Sequence, residues 1–204
     1  DMALGRATSS PRRRVSRLGS ILHVMSAAWG GYLGVKSYTS SKGRNVFHVL
    51  LYDAETGELL AMMEANELGR LRTGAASGVA TRLLAREDAS ILALFGSGYQ
   101  AYTQLEAVAH VRTLQEVRVF SRRAERCKEF ADNCCARLGL WVFPAASPEE
   151  AMEGADVVTT ITPSSRPVFP GDLLKPGAHV NAAGSNSGLR REIDETTVRR
   201  AGLV

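Results

Sequence analysis

The 204-residue sequence predicts an α/β protein in two parts. A β-rich region covers residues 1–88, and a doubly wound parallel sheet covers residues 89–204. Three observations carry this. Near Arg86–Ala89 the period changes: closely spaced apolar runs give way to strands alternating with helical patterns. An apolar run, Ile91–Phe95, then stops abruptly at Gly96-Ser97-Gly98-Tyr99-Gln100-Ala101. Finally, 45% hydrophobic and 23% charged residues describe an ordinary globular chain, long enough to bury a core in one domain or two small ones.

From Leu18 to Glu64 the pattern is that of antiparallel strands joined by hairpins. Ile21–Met25 forms one strand, and Tyr32–Tyr38 follows Gly30-Gly31. Asn45–Tyr52 runs into the turn signal Asp53-Ala54-Glu55-Thr56-Gly57, after which Glu58–Met63 returns. Ala65–Arg86 has a helical pattern expected to break near Arg72-Thr73-Gly74, with Thr73 capping Ala75–Ala85. Beyond the boundary, strand Ala89–Phe95 leads to helix Tyr99–Val111. Strand Glu116–Phe120 leads to helix Arg123–Leu138, and strand Leu140–Phe143 to helix Pro148–Met152. Strands Asp156–Ile161 and Ala178–Ala183 complete the parallel sheet.

Charge and cysteines exclude several classes. The formal net charge is +4, much of it in Arg12, Arg13, Arg14 and Arg17. These arginines lie on no periodic face and lack interleaved aromatics, so a solvated segment is expected and no nucleic-acid partner. No apolar run reaches the roughly 18 residues of a membrane span, and no segment has the pattern of a signal peptide. Cys127, Cys134 and Cys135 share one predicted helix, where Cys127 and Cys134 fall on the apolar stripe as buried small hydrophobes. A chain without a disulfide framework suits a reducing cytoplasm. His23, His48, His110 and His179 share no metal-ligand spacing, so no metal is expected.

The glycine pattern points to a dinucleotide. Gly96 supplies the tight turn, Gly98 lets a pyrophosphate approach the backbone past Ser97, and Ala101 lets helix and strand pack closely. The helix N-terminus then faces the phosphates, which makes the second region a Rossmann domain. In the NAD version of this fold an acidic side chain about 20 residues beyond the glycines binds the ribose 2′-hydroxyl. Here the second strand ends in Ser121-Arg122-Arg123, with no carboxylate. A hydroxyl and two guanidinium groups suit a 2′-phosphate, and two positive charges opening a helix oppose its dipole. NADP is therefore preferred, with NAD possible.

Several ordered segments resemble the ornithine cyclodeaminase/mu-crystallin family, which also contains archaeal-type alanine dehydrogenases and ketimine reductases. They are Gly34-Val35-Lys36, Asp53-Ala54-Glu55-Thr56-Gly57, Leu71-Arg72-Thr73-Gly74-Ala75-Ala76-Ser77 and the glycine turn. Gly154-Ala155-Asp156-Val157-Val158-Thr159-Thr160-Ile161-Thr162 and Ala182-Ala183-Gly184-Ser185, leading to Arg191-Glu192-Ile193-Asp194, follow. The match runs from about Gly31 to the end. It implies that the chain lacks an N-terminal helical segment and a C-terminal segment of longer relatives.

The resemblance implies roles. Lys36 aligns with a substrate lysine, and Arg72 with the arginine that holds the substrate carboxylate beside the cofactor. Thr73, Tyr99, Gln100 and Thr162 align with cofactor-contacting positions. Arg190 stands where cyclodeaminases carry a lysine near the cofactor. Cyclodeaminases and the alanine dehydrogenases place an aspartate after the strand corresponding to Val180–Gly184. This chain reads Gly184-Ser185-Asn186-Ser187, and Asn186 cannot act as a base. The expectation is an enzyme that reduces an imino acid, or oxidises an amino acid, by hydride transfer. Lys36, Arg72 and Asn186 would be its catalytic residues, and the β-rich region would bind substrate and pair two subunits as a homodimer. Ornithine cyclodeamination to proline and ammonia, and ligand binding without turnover, are the alternatives.

Overall fold

The computed structural model describes residues 2–185 and 188–204. The chain divides into two compact units, one ending at Gly69 and the other starting at Arg70.

The first unit is an antiparallel sheet. Its strands are β1 (Ala7–Ser9), β2 (Arg13–Arg17), β3 (Ser20–Trp29), β4 (Tyr32–Ser41), β5 (Arg44–Asp53) and β6 (Leu59–Glu64). They run in the order β1-β3-β4-β5-β6, with β2 also pairing β3. The expected hairpins are present, with β3 extending beyond Met25 to Trp29. The arginine-rich stretch is corrected: Arg13–Arg17 is not a loose arm but a strand, exposed throughout and paired with Ser20–Val24. Leu18 and Gly19 join the two at φ 50° and 77°, the left-handed pair of a tight two-residue hairpin.

Side chains alternate across the sheet, so register assigns faces. Lys36 pairs with Met25 and Val49, and Tyr38 with His23 and Phe47; these share one face. Leu22, Val24, Leu33, Val35, Leu50 and Met62 share the other. There Leu22, Leu33 and Met62 are 41%, 43% and 71% exposed, so this apolar face has no cover within the unit.

The second unit is the expected doubly wound sheet. Strands β7 (Ile91–Phe95), β8 (Glu116–Phe120), β9 (Val142–Pro144), β10 (Val157–Thr160) and β11 (His179–Ala182) lie parallel in the order β11-β10-β7-β8-β9. Helices α2 (Ala101–Ala109) and α3 (Ala124–Leu138) follow β7 and β8. Their Leu105, Val108, Cys127, Ala131 and Cys134 pack on Leu92, Leu94, Val117 and Val119. The opposite face, with Ala93, Phe95 and Val158, is covered by Phe169 and by Ala151 and Met152 of α4 (Pro148–Met152). Helix α4 starts where Ser147 accepts a hydrogen bond from the Glu150 N–H at 3.2 Å, with Pro148 preset for the first turn. Asp194 similarly accepts from the Thr197 N–H at 2.7 Å to open α5 (Glu195–Arg200).

Helix α1 (Asn66–Leu84) differs from expectation in two ways. It runs unbroken through Arg72-Thr73-Gly74, so Thr73 is not a cap. From Arg70 onward it also belongs to the second unit, which moves the division ahead of the expected Arg86–Ala89. The reason is close packing: a Cβ on Gly74 would collide with the Thr103 carbonyl, and one on Gly78 would lie 3.0 Å from that of Ala107. The far end is closed by Arg112, which donates to the carbonyls of Thr81, Ala85 and Arg86 at 3.0, 2.6 and 2.8 Å. Thr81 is in the last turn of α1 and Ala85 and Arg86 follow its end, so the guanidinium gathers carbonyls at and just past the helix C-terminus.

At the N-terminal edge of the sheet the Asp156 carboxylate, its side chain 6% exposed, meets the Arg86 guanidinium at 2.5 Å and the Lys175 ammonium at 2.7 Å. It also accepts from the Ser90 and Ile91 N–H groups at 2.9 and 3.0 Å. Among the described residues no helix is long and apolar enough to cross a membrane, and no group of three or more His, Cys, Asp or Glu is placed to hold a metal ion.

Candidate functional site

The chain leaves β7 at Phe95 and turns at Gly96, whose φ is +116°. A Cβ there would lie 2.8 Å from the Ile161 carbonyl oxygen, so the turn accepts only glycine. The Gly96 N–H donates to the Phe120 carbonyl at 2.9 Å, tying the turn to the end of β8. Gly98 is exposed, and a Cβ on it would meet nothing within 4 Å, which leaves the backbone open to a ligand. Ala101, the first residue of α2, is fully buried. Gln100, at the N-cap, makes no side-chain cap hydrogen bond, so the helix N-terminus is not covered by its own cap residue.

Beside this turn is a cavity of about 810 Å³ at the C-terminal ends of β7, β8 and β10. It sits where the strand order reverses between β7 and β10, the place where open α/β sheets take their ligands. Gly96, Ser97 and Gly98 line one side, Ser121, Arg122 and Arg123 another, and Thr162 a third. The structure thus gathers these predicted cofactor residues. It adds Arg126 and Arg166, which sequence reasoning missed. The spacing of Arg126 from Arg122 and Arg123 on a predicted helix was a usable signal; Arg166 lies in an aperiodic loop and gave none.

The remaining predicted residues of this unit lie elsewhere. Tyr99 is 58% exposed and carries the Arg70 guanidinium 5.0 Å from its ring centre. The Thr103 hydroxyl is within 3.1 Å of the Gln100 carbonyl and 3.2 Å of the Arg70 carbonyl. It joins the start of α2 to α1 one helical turn before Gly74. Arg72 is exposed and Thr73 half-buried on that same stretch of α1. Arg72, Thr73, Tyr99, Gln100 and Arg190 do not line the cavity. Arg190 is exposed, and its carbonyl accepts from the Ser185 hydroxyl at 2.8 Å. Asn186 lies outside the described residues.

In the first unit Lys36 is half-buried over aromatic faces. Its ammonium is 5.0 Å from the Phe47 ring centre and 6.0 Å from that of Tyr38. Tyr38 stacks on Phe47 at 4.6 Å and on His23 at 4.1 Å. The Arg12 guanidinium is 5.8 Å from the same Tyr38 ring, and its Nε donates to the Met25 sulfur at 3.5 Å. Two cations therefore share one aromatic surface, and Arg12 is no bystander in a solvated run. Burial, then the charges of Arg14 and Arg12, lower the pKa of His23, which keeps it neutral. Its Nδ1 accepts from Arg14 Nε at 3.3 Å, so Nε2 carries the proton toward the Ser40 hydroxyl at 3.3 Å.

Residues 1–204 match the ornithine cyclodeaminase/mu-crystallin family. The chain is 37% identical over 155 residues to the ketimine reductase mu-crystallin of Mus musculus, a match covering 76% of this chain and 48% of that protein. Among solved structures it resembles Thermococcus litoralis Δ1-pyrroline-2-carboxylate reductase in complex with NADH and L-proline. There the TM-score is 0.89 and the identity 33%, covering 97% of this chain and 65% of that one. An archaeal alanine dehydrogenase dimer with bound NAD gives a TM-score of 0.91 and 34% identity, over 98% and 64%. The chain spans about half the length of most of the curated relatives it matches. A glycine turn at the strand reversal, arginines at the end of the second strand and a match along the whole sequence agree: this chain belongs to the ornithine cyclodeaminase/mu-crystallin family.

Proposed function

We propose that the full-length protein is an NAD(P)-dependent oxidoreductase that reduces an imino acid or, in reverse, oxidises an amino acid. The observation that carries this is the glycine turn opening on a cavity at the strand reversal, where a Cβ on Gly96 would strike Ile161. Gly96, Ser97, Gly98, Ser121, Arg122, Arg123 and Thr162 would hold a nicotinamide dinucleotide there, and it would supply hydride for the substrate Cα. Arg72 holds the substrate carboxylate with its rigid fork of donors. Lys36 gives a proton to the imine nitrogen side of the reaction, and Asn186 orients that nitrogen by hydrogen bonding. Arg12, beside Lys36 over Tyr38, offers a second cation for an anionic substrate. Free thiols suit a reducing cytoplasm.

The direct test is steady-state reduction of pyrroline-2-carboxylate and piperideine-2-carboxylate by the full-length protein with each cofactor. Turnover of at least one supports the reading, and its absence on every imino and keto acid tried leaves a binding protein instead. Retention of both Lys36 and Arg72 favours an enzyme over that alternative. Asn186, in place of a carboxylate that could act as a base, favours reduction over cyclodeamination. Robust proline formation from ornithine by the unmodified protein would reverse that choice.

The cofactor preference we propose is NADPH over NADH. Ser121, Arg122 and Arg123 line the cavity, and Arg126 adds a cation on the next turn. Replacing Arg122 and Arg123 with Ala should weaken NADPH binding selectively, by about 1–3 kcal/mol for lost charged hydrogen bonds. An equal loss for NADH, measured by titration, would remove the 2′-phosphate from the argument.

The assembly we propose is a homodimer paired through the first unit. The face carrying Leu22, Leu33 and Met62 is apolar and exposed, and a two-fold partner offering the same face would bury it. Sedimentation of the full-length protein at micromolar concentration should give a homodimer; a monomer there contradicts the proposal.

A further inference from the structure

The cavity wall that carries Thr162 is held by a side chain with no role so far. Glu192 is 2% exposed. Its Oε1 accepts from the Thr162 N–H at 2.6 Å and from the Thr162 hydroxyl at 2.7 Å. Its Oε2 accepts from the Gly184 N–H at 2.7 Å. One carboxylate thus joins the turn after β10 to the turn after β11. The backbone repeats the link: Val168 N–H donates to the Glu192 carbonyl at 2.8 Å, and Arg191 N–H to that of Ser164 at 3.1 Å. The join leaves no spare room. A Cβ on Gly184 would lie 2.6 Å from Glu192 Oε1 and 2.5 Å from the Thr162 carbonyl oxygen.

The hydrogen-bond directions have a chemical consequence. The Thr162 hydroxyl proton is committed to Glu192, while its oxygen accepts from the Ser164 N–H at 3.2 Å. The Thr162 hydroxyl therefore has no proton left for a ligand and keeps one acceptor position free.

We propose that Glu192 is a positioning residue. Its buried carboxylate sets the Thr162 wall of the dinucleotide cavity and fixes Gly184 at the start of the segment leading to Asn186. The proposal rests on the dinucleotide reading of that cavity. Glu192→Gln keeps the shape but turns an N–H₂ toward one of the N–H or O–H donors. In the full-length protein, NADPH affinity read by nicotinamide fluorescence should fall about tenfold, and kcat should fall with it. Thr162→Val should lose a similar factor, and the double variant should be no worse than either single, because the two act as one unit. Additive losses, or a lowered Tm with unchanged NADPH affinity and kcat, would overturn the proposal and leave Glu192 a packing residue. Should Glu192→Gln fail to fold, Thr162→Ser decides. Serine keeps the bond to Glu192 and should recover most of the affinity lost in Thr162→Val; equal weakness of the two overturns the proposal. Failure of the unmodified protein to bind NADPH or NADH defeats the cavity assignment itself, and this proposal with it.

Discussion

Arg72→Lys is expected to lower kcat/KM for the imino acid by about 30- to 150-fold, the equivalent of about 2–3 kcal/mol of charged, forked hydrogen bonding. The change keeps the charge and loses the geometry, since an ammonium cannot present two parallel donors to a carboxylate. Stability should hold, because Arg72 is exposed on α1 and Lys and Arg have similar helix propensities. Steady-state kinetics and a thermal melt on the same preparation check both halves. Unaltered kinetics would take Arg72 out of the substrate site, while a large fall in Tm would assign it to the fold.

Asp156→Ala should destabilise the protein by about 3 kcal/mol. It leaves the Ser90 and Ile91 N–H groups without an acceptor and two cations without their shared anion. Acid should show the same dependence. Burial pushes the Asp156 carboxyl up, but hydrogen bonds from Lys175, Ser90 and Ile91 outweigh it and hold the group below its usual value. A carboxyl whose pKa is lower in the folded state contributes stability that is fully present above its unfolded value, about 3.9. That stability is lost as the pH falls through the lower folded value. Denaturant unfolding of the Asp156→Asn variant from pH 7 to pH 3 should therefore show a flatter acid limb than the wild type. Asp194 is also held low, by hydrogen bonds from Gly171 and Thr197 that outweigh its burial, so only the difference between the two curves counts. Parallel acid limbs would remove Asp156 as a source of the acid sensitivity.

The second unit was legible because its signals are local. The turn after β7 needs glycine at Gly96 for its own φ, and the Ser147-Pro148 start of α4 carries its cap within one turn. The arginines at the end of β8 follow from their place in the chain. What was missed depends on partners far along the sequence. Arg13–Arg17 has no buried face to mark it as a strand; only pairing with β3 makes it one. Gly74 resembles a helix breaker until Thr103 is seen against it, and then its missing side chain explains an unbroken helix. The role of Glu192 needs Thr162 and Gly184 brought together by the sheet. Arg12 looked like one charge in a run until Tyr38 lay under it.

Helix α1 has a consequence for how variants of this protein will behave. Its 19 residues span roughly 28 Å, with Arg72 toward one end and the Arg112 guanidinium clasping the carbonyls at the other. Between them Gly74 and Gly78 lie against α2: a Cβ on Gly74 would collide with Thr103, and one on Gly78 would press on Ala107. Close-packed contacts of this kind transmit strain instead of absorbing it. A screen for lost turnover should therefore return substitutions at Gly78 or Arg112, their damage carried along one helix to Arg72, the residue proposed to hold the substrate carboxylate.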